Sequence, residues 1–362
     1  MKILYVHYSL GAGGAERLFV DLANRMAMDP GNDVSLLTVW DINIPGKDHF
    51  LSELSDNINF LNLHRSKGIS LANIIDVWKI IASEKPDIVH VHCSFWLITL
   101  PAIFYRKARY VMTIHSLVQR WASGKINHAI SKFLYRDKVQ AVTISKACHQ
   151  SYVDYYHLDN DVTIDNGRED VKRTERLSEV SHFIDSLKTY PDTPIFIHVA
   201  RHHPVKNHER MFKTFGRLTD EGIDYQLIVV GDKYDDYIDK YKGHPNIHLV
   251  GKKDNVGDYM SLADYFVLTS DKEGLPITLL EAMSLGVIPI CTPAGGVVDV
   301  IHDGVNGYIA PKIDDEMFYL SVKRALAERG KISKDHIIED FKKKYSMKIC
   351  ADRYYKLYKD IL

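Results

Sequence analysis

Two acids and two cations carry most of the chemistry legible in this chain. Glu273 and Glu281 bracket the run Glu-Gly-Leu-Pro-Ile-Thr-Leu-Leu-Glu. Pro276 suits a first helical turn, where its missing N–H costs nothing, and Leu279, Leu280 and Met283 with a stop at Gly286 predict a short helix with an apolar face. Glu281 then lies inside the helix and Glu273 ahead of it. At about 1.5 Å of rise per residue, the carboxylates stand roughly a diphosphate's length apart, with the free N–H groups of the helix start between them. One acid can accept hydrogen bonds from sugar hydroxyls and the other from a ribose diol. Taken alone, the segment is explained equally well by two solvated acids. Arg201 and Lys206 follow a predicted strand, at the carboxyl edge where ligands bind in open α/β sheets. A guanidinium fork and a point charge there would suit an anionic ligand.

The elements that must position these groups fall into two halves with the same grammar. In the first, strands are predicted at Lys2 to Tyr8, Val34 to Val39, Ile88 to His92, Tyr110 to Ile114, Gln140 to Ile144 and Val162 to Ile164, with helical segments between them. A helix from about Glu16 carries Leu18, Phe19, Leu22, Ala23 and Met26 on one stripe. In the second, strands are predicted at Ile195 to Ala200, Gln226 to Val230, Ile247 to Val250, Tyr265 to Leu268 and Val287 to Ile290, with helices near 208–221, 255–263, 276–285 and 314–328. A linker is expected in 166–175, where Asn166-Gly167 marks a turn and a charged stretch follows. The final segment has Ile349, Tyr354, Leu357 and Ile361 at helical spacing. The 362 residues suit two domains, and the formal net charge of −1 provides no global field for nucleic acid. Cys93, Cys148, Cys291 and Cys350 are scattered and read as reduced thiols of a cytoplasmic protein. The apolar run at the N-terminus reads as a strand rather than a signal peptide, and no stretch approaches the roughly 18 to 20 apolar residues of a membrane span.

Other residues have both sharp and plain readings. The loop from Gly11 to Glu16 invites a dinucleotide, but the third glycine of that fingerprint falls on Glu16, whose carboxylate would repel a pyrophosphate. Gly13 and Gly14 can also be a tight turn. His115 sits directly after a predicted strand, where it is either a ligand contact or a structural histidine. His90 and His92 share a face of one strand but lack a third ligand for a metal. Asp159-Asn160-Asp161 has the form of a metal-binding DxD and is read as turn chemistry.

The acid, seven residues, acid element from Glu273 to Glu281 resembles that of the retaining glycosyltransferases of family 4 (GT4, or group 1), and further matches run along nearly the whole chain. Arg201 and Lys206 match a Gly-Arg, four residues, Lys element, with Ala200 and Asn207 in place of its glycines. Gly13-Gly14-Ala15-Glu16 is similar to a Gly-Gly-Ala-Glu element, and Thr113-Ile114-His115 to a strand-end histidine. His92, Ser145-Lys146 and Asn166-Gly167 also fall on family positions. The chain departs where many relatives read Glu-Gly-Phe-Gly: here Glu-Gly-Leu-Pro removes one backbone donor at Pro276.

The resemblance implies an α/β protein of GT-B type, with two Rossmann-like doubly wound domains facing across a cleft. Residues 1–170 would form the acceptor-side domain, with helix 347–362 packing back on it, and residues 171–346 the donor domain. It implies transfer of a sugar, with retention, from a nucleoside-diphosphate sugar to a hydroxyl of a glycan or lipid-linked glycan. His115, Glu273, Arg201 and Lys206 would be catalytic, while Gly13, Gly14, Gly274, Leu275, Pro276, Ile277 and Glu281 would bind the donor. No metal and no cofactor beyond that donor is expected. A non-catalytic nucleotide-sugar-binding protein and a dinucleotide-dependent oxidoreductase are the alternatives.

The neutral total hides one local asymmetry. No Asp or Glu occurs between Asp87 and Asp137, whereas Arg106, Lys107, Arg109, Arg120, Lys125, Lys132 and Arg136 do, beside Phe95, Trp96, Phe104, Tyr105, Tyr110, Trp121, Phe133 and Tyr135. Such a face suits a membrane surface or a lipid diphosphate, placing the protein peripherally on the inner membrane face. The plain alternative is that many of these rings are core.

Overall fold

The computed structural model describes residues 1–68, 70–92, 96–118 and 124–362. The chain divides into two units, Met1–Glu169 with Tyr345–Leu362, and Asp170–Lys344.

In the first unit, β1 (Lys2–His7), β2 (Asp33–Trp40), β3 (Ile58–Arg65), β4 (Ile88–Val91), β5 (Arg109–Ile114), β6 (Val139–Thr143) and β7 (Val162–Thr163) form a parallel sheet in the order β3-β2-β1-β4-β5-β6-β7. Helices cover such sheets on both faces, so the central strands are apolar throughout: Ile3, Leu4, Tyr5 and Val6 are all fully buried. The helix Gly14–Ala27 buries the expected stripe of Leu18, Phe19, Leu22, Ala23 and Met26. Each of the four larger side chains, Leu18, Phe19, Leu22 and Met26, is worth about 1.5–3 kcal/mol. The edge strand β3 was not among the expected strands. Its sequence alternates with Asn59, Asn62 and His64, as a half-covered edge strand does, and lacks the continuous apolar run of its neighbours.

The terminal helix Met347–Ile361 belongs to this unit and packs on the helix Gly14–Ala27. Its Tyr354 and Tyr358 are fully buried. The chain passes it at Gly167, where an added Cβ would lie 2.5 Å from Cys350 Cβ and 2.9 Å from the Ser346 carbonyl oxygen. Only glycine fits there. Arg168 N–H then bonds Tyr345 O and Met347 N–H bonds Arg168 O, and Arg168 Nη1 reaches the buried Asp21 at 2.8 Å.

In the second unit, β8 (Ile195–Val199), β9 (Gln226–Val230), β10 (Ile247–Gly251), β11 (Tyr265–Leu268), β12 (Ile288–Cys291) and β13 (Tyr308–Ile309) form a parallel sheet in the order β10-β9-β8-β11-β12-β13. The helices His208–Asp220, Val256–Ser261, Ile277–Ser284 and Asp315–Ala327 lie where the apolar spacing places them. The helices Asp235–Tyr241 and Lys334–Lys344 were not anticipated, because tyrosines and charges obscure their apolar face.

In both sheets the strand order reverses once, between β1 and β4 in the first and between β8 and β11 in the second. Loops leaving the carboxyl ends of those strand pairs diverge to opposite faces and open a crevice between them. The glycine loop follows β1 and His92 follows β4; Arg201 and Lys206 follow β8 and Glu273 follows β11. Most of the singled-out residues therefore stand at the two reversal points.

Candidate functional site

In the second unit the loops after β8 and β11 are bonded to each other. Asp271 N–H donates to Val205 O at 2.9 Å, and the Thr269 hydroxyl donates to Lys206 O at 2.9 Å. This brings Lys206 Nζ to 2.7 Å from Glu273 Oε1, and the Ser270 hydroxyl donates to the same oxygen at 2.6 Å. The Glu273 side chain is only 11% exposed. Its backbone is held from the other side by the loop after β12, where Gly296 N–H donates to Gly274 O at 2.8 Å. Gly295 has φ +55°, and a Cβ on it would lie 1.8 Å from Glu273 O, so no other residue allows that approach.

Beneath the pair, Asn207 adopts φ +46°, caps the helix His208–Asp220 by accepting from Arg210 N–H, and donates through Nδ2 to Asp271. Buried Arg210 ties Thr269 O, Asp271 and Asp315 together at 2.8–3.0 Å. The αL conformation explains why asparagine can stand where the family element carries glycine. Arg201 lies elsewhere: its side chain is half exposed, with Nε 4.0 Å from Asp232 Oδ1. The structure thus joins Lys206 to Glu273 and leaves Arg201 beside Asp232.

The helix after Glu273 runs Ile277–Ser284. Pro276 was expected inside its first turn. It instead precedes the helix in extended conformation, φ −71° and ψ 124°, and accepts a bond from Leu279 N–H. Gly274, Leu275, Pro276 and Ile277 are buried and Glu281 is half-buried in the helix. Gly286 ends the segment at φ +70°. Burial, with Glu273 nearby, holds the Cys291 thiol well above its ordinary range, so it is no nucleophile. A second polar cluster lies under the loop after β8. His198 Nδ1 bonds Val267 O at 2.9 Å, and His208 Nε2 lies 3.1 Å from His198 Nε2 and 2.8 Å from Tyr234 Oη. Burial pushes His198 down to about 4 and His208 to about 2.

In the first unit the glycine loop is anchored by Leu10, whose N–H donates to Lys47 O and whose carbonyl accepts from Phe50 N–H. Gly13 precedes the helix Gly14–Ala27, and a Cβ on it would lie 2.3 Å from Glu16 Oε2. The Glu16 carboxylate folds back over Gly13, so the position of the third fingerprint glycine holds a side chain that fills the loop. His115 follows β5 and His92 follows β4; His92 Nδ1 lies 3.1 Å from His115 Nε2. His92 Nε2 is 3.3 Å from His90 Nδ1, which is 2.5 Å from Tyr358 Oη. Burial holds His90 and His92 well below the usual histidine range, and pushes His115 down to about 3 with His7 adding to the effect.

Asp159-Asn160-Asp161 lies in the irregular segment before β7. Among the described residues, His149, Asp159 and Asp161 are the group whose ligand atoms lie close enough to hold a metal, within 4.8 Å. Each imidazole nitrogen faces a different carboxylate, Nδ1 with Asp161 at 2.9 Å and Nε2 with Asp159 at 3.7 Å. The Thr143 hydroxyl also binds Asp161. These bonds describe a closed turn.

Part of the acid-free stretch is core, with Tyr110 and Tyr135 at 3% and 7% exposure, whereas Phe104 and Ile126 are 70% and 74% exposed and Phe133 is 44% exposed. Cys93, Phe95, Arg120, Trp121 and the side chain of Trp96 lie outside the described residues. Leu71, Ile75 and Trp78, on one face of the helix Leu71–Glu84, are also exposed, and Trp78 meets Phe104 edge-on at 5.4 Å. No helix among the described residues is long and apolar enough to cross a membrane.

Sequence reasoning noted Asn207 only as a replaced glycine and gave no role to Ser270, Arg210, Asp271 or the Gly295-Gly296 pair. A serine three positions before an acid, and two adjacent glycines just after a strand, were the available signals.

Residues 181–344 match the family described as glycosyl transferases group 1, and residues 12–168 match glycosyltransferase family 4. Among curated proteins, the N-acetyl-alpha-D-glucosaminyl L-malate synthase of Bacillus anthracis is 30% identical over 180 residues, 46% of this chain and 46% of that protein. The match thus spans about half the length of that relative. Among solved structures, a glycosyltransferase from Rickettsia africae superposes with a TM-score of 0.82 at 18% identity, covering 99% of this chain and 98% of the other. Anabaena HepE in complex with UDP gives 0.81 at 16% identity, covering 99% and 100%. The latter protein is also solved with UDP-glucose.

Proposed function

We propose, from the premise that this chain belongs to the group 1, family 4 glycosyltransferases and has their α/β GT-B fold, that it moves a hexose from a nucleoside-diphosphate sugar to a hydroxyl of a glycan or lipid-linked glycan, with retention. The observation that carries this reading is the Lys206–Glu273 pair, held at the reversal point of the second sheet just ahead of the helix that carries Glu281. It is supported by the nucleotide and nucleotide sugar bound to the structural neighbour.

In this reading Glu281 accepts hydrogen bonds from the ribose diol and Glu273 from hydroxyls of the donor sugar. Gly274, Leu275, Pro276 and Ile277 line the donor, with backbone N–H groups near its phosphates, and Gly13 and Gly14 let backbone approach the same groups. The acceptor hydroxyl attacks the anomeric carbon from the face the diphosphate leaves. The new C–O bond forms as the bond to the phosphate oxygen breaks, and that phosphate oxygen takes the hydroxyl proton. Lys206 and Arg201 stabilise the charge on the departing diphosphate, the work a metal does elsewhere. Lys206 would exchange part of its bond to Glu273 for the phosphates. His115 contacts the donor sugar or the acceptor hydroxyl as a neutral group. No second carboxylate across the bond is required, unlike in a glycoside hydrolase.

The exposed Leu71, Ile75, Trp78, Phe104 and Ile126, with Arg106, Lys107, Lys125 and Arg136 in the same unit, support docking to an anionic membrane surface that presents a lipid-linked acceptor. A thermal-shift panel of UDP, GDP, ADP and CMP, followed by the sugars of the base that binds, tests the donor class. Transfer should persist in a chelator and fall on the order of 100-fold in Lys206→Ala or Arg201→Ala. Hydrolysis or transfer that needs added divalent metal would reject the metal-free mechanism. Tight nucleotide-sugar binding with no turnover would favour the binding protein instead.

A further inference from the structure

The hydrogen bonds behind His115 form a continuous buried chain. His115 Nε2 meets His92 Nδ1 at 3.1 Å, and His92 Nε2 meets His90 Nδ1 at 3.3 Å. His90 Nδ1 also meets Tyr358 Oη at 2.5 Å, and His90 Nε2 meets Thr113 Oγ1 at 2.7 Å. Tyr358 continues to Tyr5 at 3.1 Å and Thr113 to Tyr354 at 2.9 Å. His90, His92, Tyr5, Tyr354 and Tyr358 are at most 1% exposed, so water does not break the chain. Among the described residues His115 has no hydrogen bond besides the one to His92.

Burial keeps all three imidazoles neutral and both terminal-helix tyrosines protonated near neutral pH. Each ring therefore carries one N–H and one lone pair, and fixing one proton fixes the rest. The branch at His90 Nδ1 decides the direction. Two partners face that nitrogen, and one N–H readily serves two acceptors in a three-centre bond, whereas one in-plane lone pair serves two donors poorly. With the proton on His90 Nδ1, Tyr358 Oη and His92 Nε2 are acceptors, and Thr113 donates to His90 Nε2. His92 then carries its proton on Nδ1 and donates it to His115 Nε2.

We propose that His92, His90 and Tyr358 are positioning residues that hold His115 with its proton on Nδ1, so that it presents a hydrogen-bond donor at the carboxyl edge of the first sheet. The terminal helix, by supplying Tyr354 and Tyr358, sets the tautomer of a residue far from it in sequence. A donor suits a sugar or acceptor oxygen and cannot remove a proton, which extends the His115 role proposed above and rests on it for its catalytic meaning.

The test is a two-bond proton–nitrogen correlation spectrum of the full chain with nitrogen-15 histidines, recorded without donor or acceptor. His115 is identified by the signals lost in His115→Asn. The expected result is protonation of His115 at Nδ1. In His92→Phe, which keeps a ring and removes the donor, His115 should move to the Nε2–H form. Turnover should then fall about tenfold, one hydrogen bond's worth, while KM for the nucleotide sugar stays within about twofold by the same logic. A wild-type His115 protonated at Nε2 overturns the proposal whether or not His92→Phe folds, as does a His115 spectrum unmoved by that substitution. The spectrum needs no turnover, so it stands apart from the transferase reading, whose His115 role fails instead if His115→Asn transfers sugar at the wild-type rate.

Discussion

Lys206 Nζ lies 2.7 Å from Glu273 Oε1, which makes two residues expected to serve different parts of a donor each other's partner. Both side chains are partly buried, and Ser270 shares the carboxylate. An ion pair in such a place is costly to break from one side, because the abandoned charge keeps its desolvation penalty.

Lys206→Met should therefore lower stability by about 1–3 kcal/mol, since Glu273 is left with a single hydroxyl donor in the described network. Lys206→Met with Glu273→Gln should recover part of that loss. Urea unfolding of the two single variants and the double variant measures it. Additivity within about 0.3 kcal/mol would mean the pair is not coupled.

Glu281→Ala should weaken binding of bare nucleoside diphosphate, while Glu273→Ala should chiefly lower turnover with the nucleotide sugar. In the proposed reading the ribose is held in every state, whereas hydroxyls of the reacting sugar matter most as the bond breaks. Each lost charged hydrogen bond is worth roughly 1.5–3 kcal/mol. Calorimetry with the diphosphate and rates with its sugar separate the two. Equal effects of both substitutions on the bare diphosphate would refute this division of roles.

The buried histidines set a pH dependence with a definite sign. His115, His198 and His208 are pushed down to about 3, 4 and 2 by burial, against about 6.5 in an unfolded chain. Below pH 6.5 the unfolded state binds protons that the folded state refuses, so stability falls as pH falls through the window from about 6.5 down to those values. Each such histidine contributes up to about 1.4 kcal/mol per pH unit. Between about pH 7 and 5 the carboxylates are still ionised in both states, which isolates the effect. The urea midpoint should drop over that range, and a flat profile would show that these rings are not excluded from protonation.

The sheets were legible because parallel strands buried on both faces leave unbroken apolar runs such as Ile3 to Val6 and Leu227 to Val230. β3 was not, because an edge strand needs apolar residues on one face only. Glu273, Lys206 and His115 were legible as residue types at strand ends, but their partners were not. Ser270 and Gly295 act on Glu273 through loops after two different strands, and Tyr358 meets His90 across 268 positions of chain. Such neighbours are set by strand order. The sequence spacing of Arg201 and Lys206 suggested one clamp, yet the turn at Pro204–Lys206 sends Lys206 toward Glu273 while Arg201 stays beside Asp232.

The exposed apolar and basic side chains of the first unit lead to the last prediction. Phe104 is 70% exposed beside Arg106 and Lys107 on the segment leading into β5, and it meets the exposed Trp78, so the apolar surface there is contiguous. Basic residues near anionic lipid are worth about 1 kcal/mol each, and the attraction weakens as salt shortens the Debye length from about 30 Å at 0.01 M to about 8 Å at 0.15 M. The protein should sediment with phosphatidylserine-containing vesicles at low salt and leave them as salt rises. Changing Arg106 and Lys107 together to Glu should abolish sedimentation, and Phe104→Ser should weaken it at all salt concentrations because the inserted ring is not screened. Nucleoside-diphosphate affinity should be unchanged in both variants, since Glu281 and Lys206 belong to the other unit. Failure to sediment at any salt, with efficient transfer to a short water-soluble acceptor, would reject membrane docking and leave the transferase assignment in place.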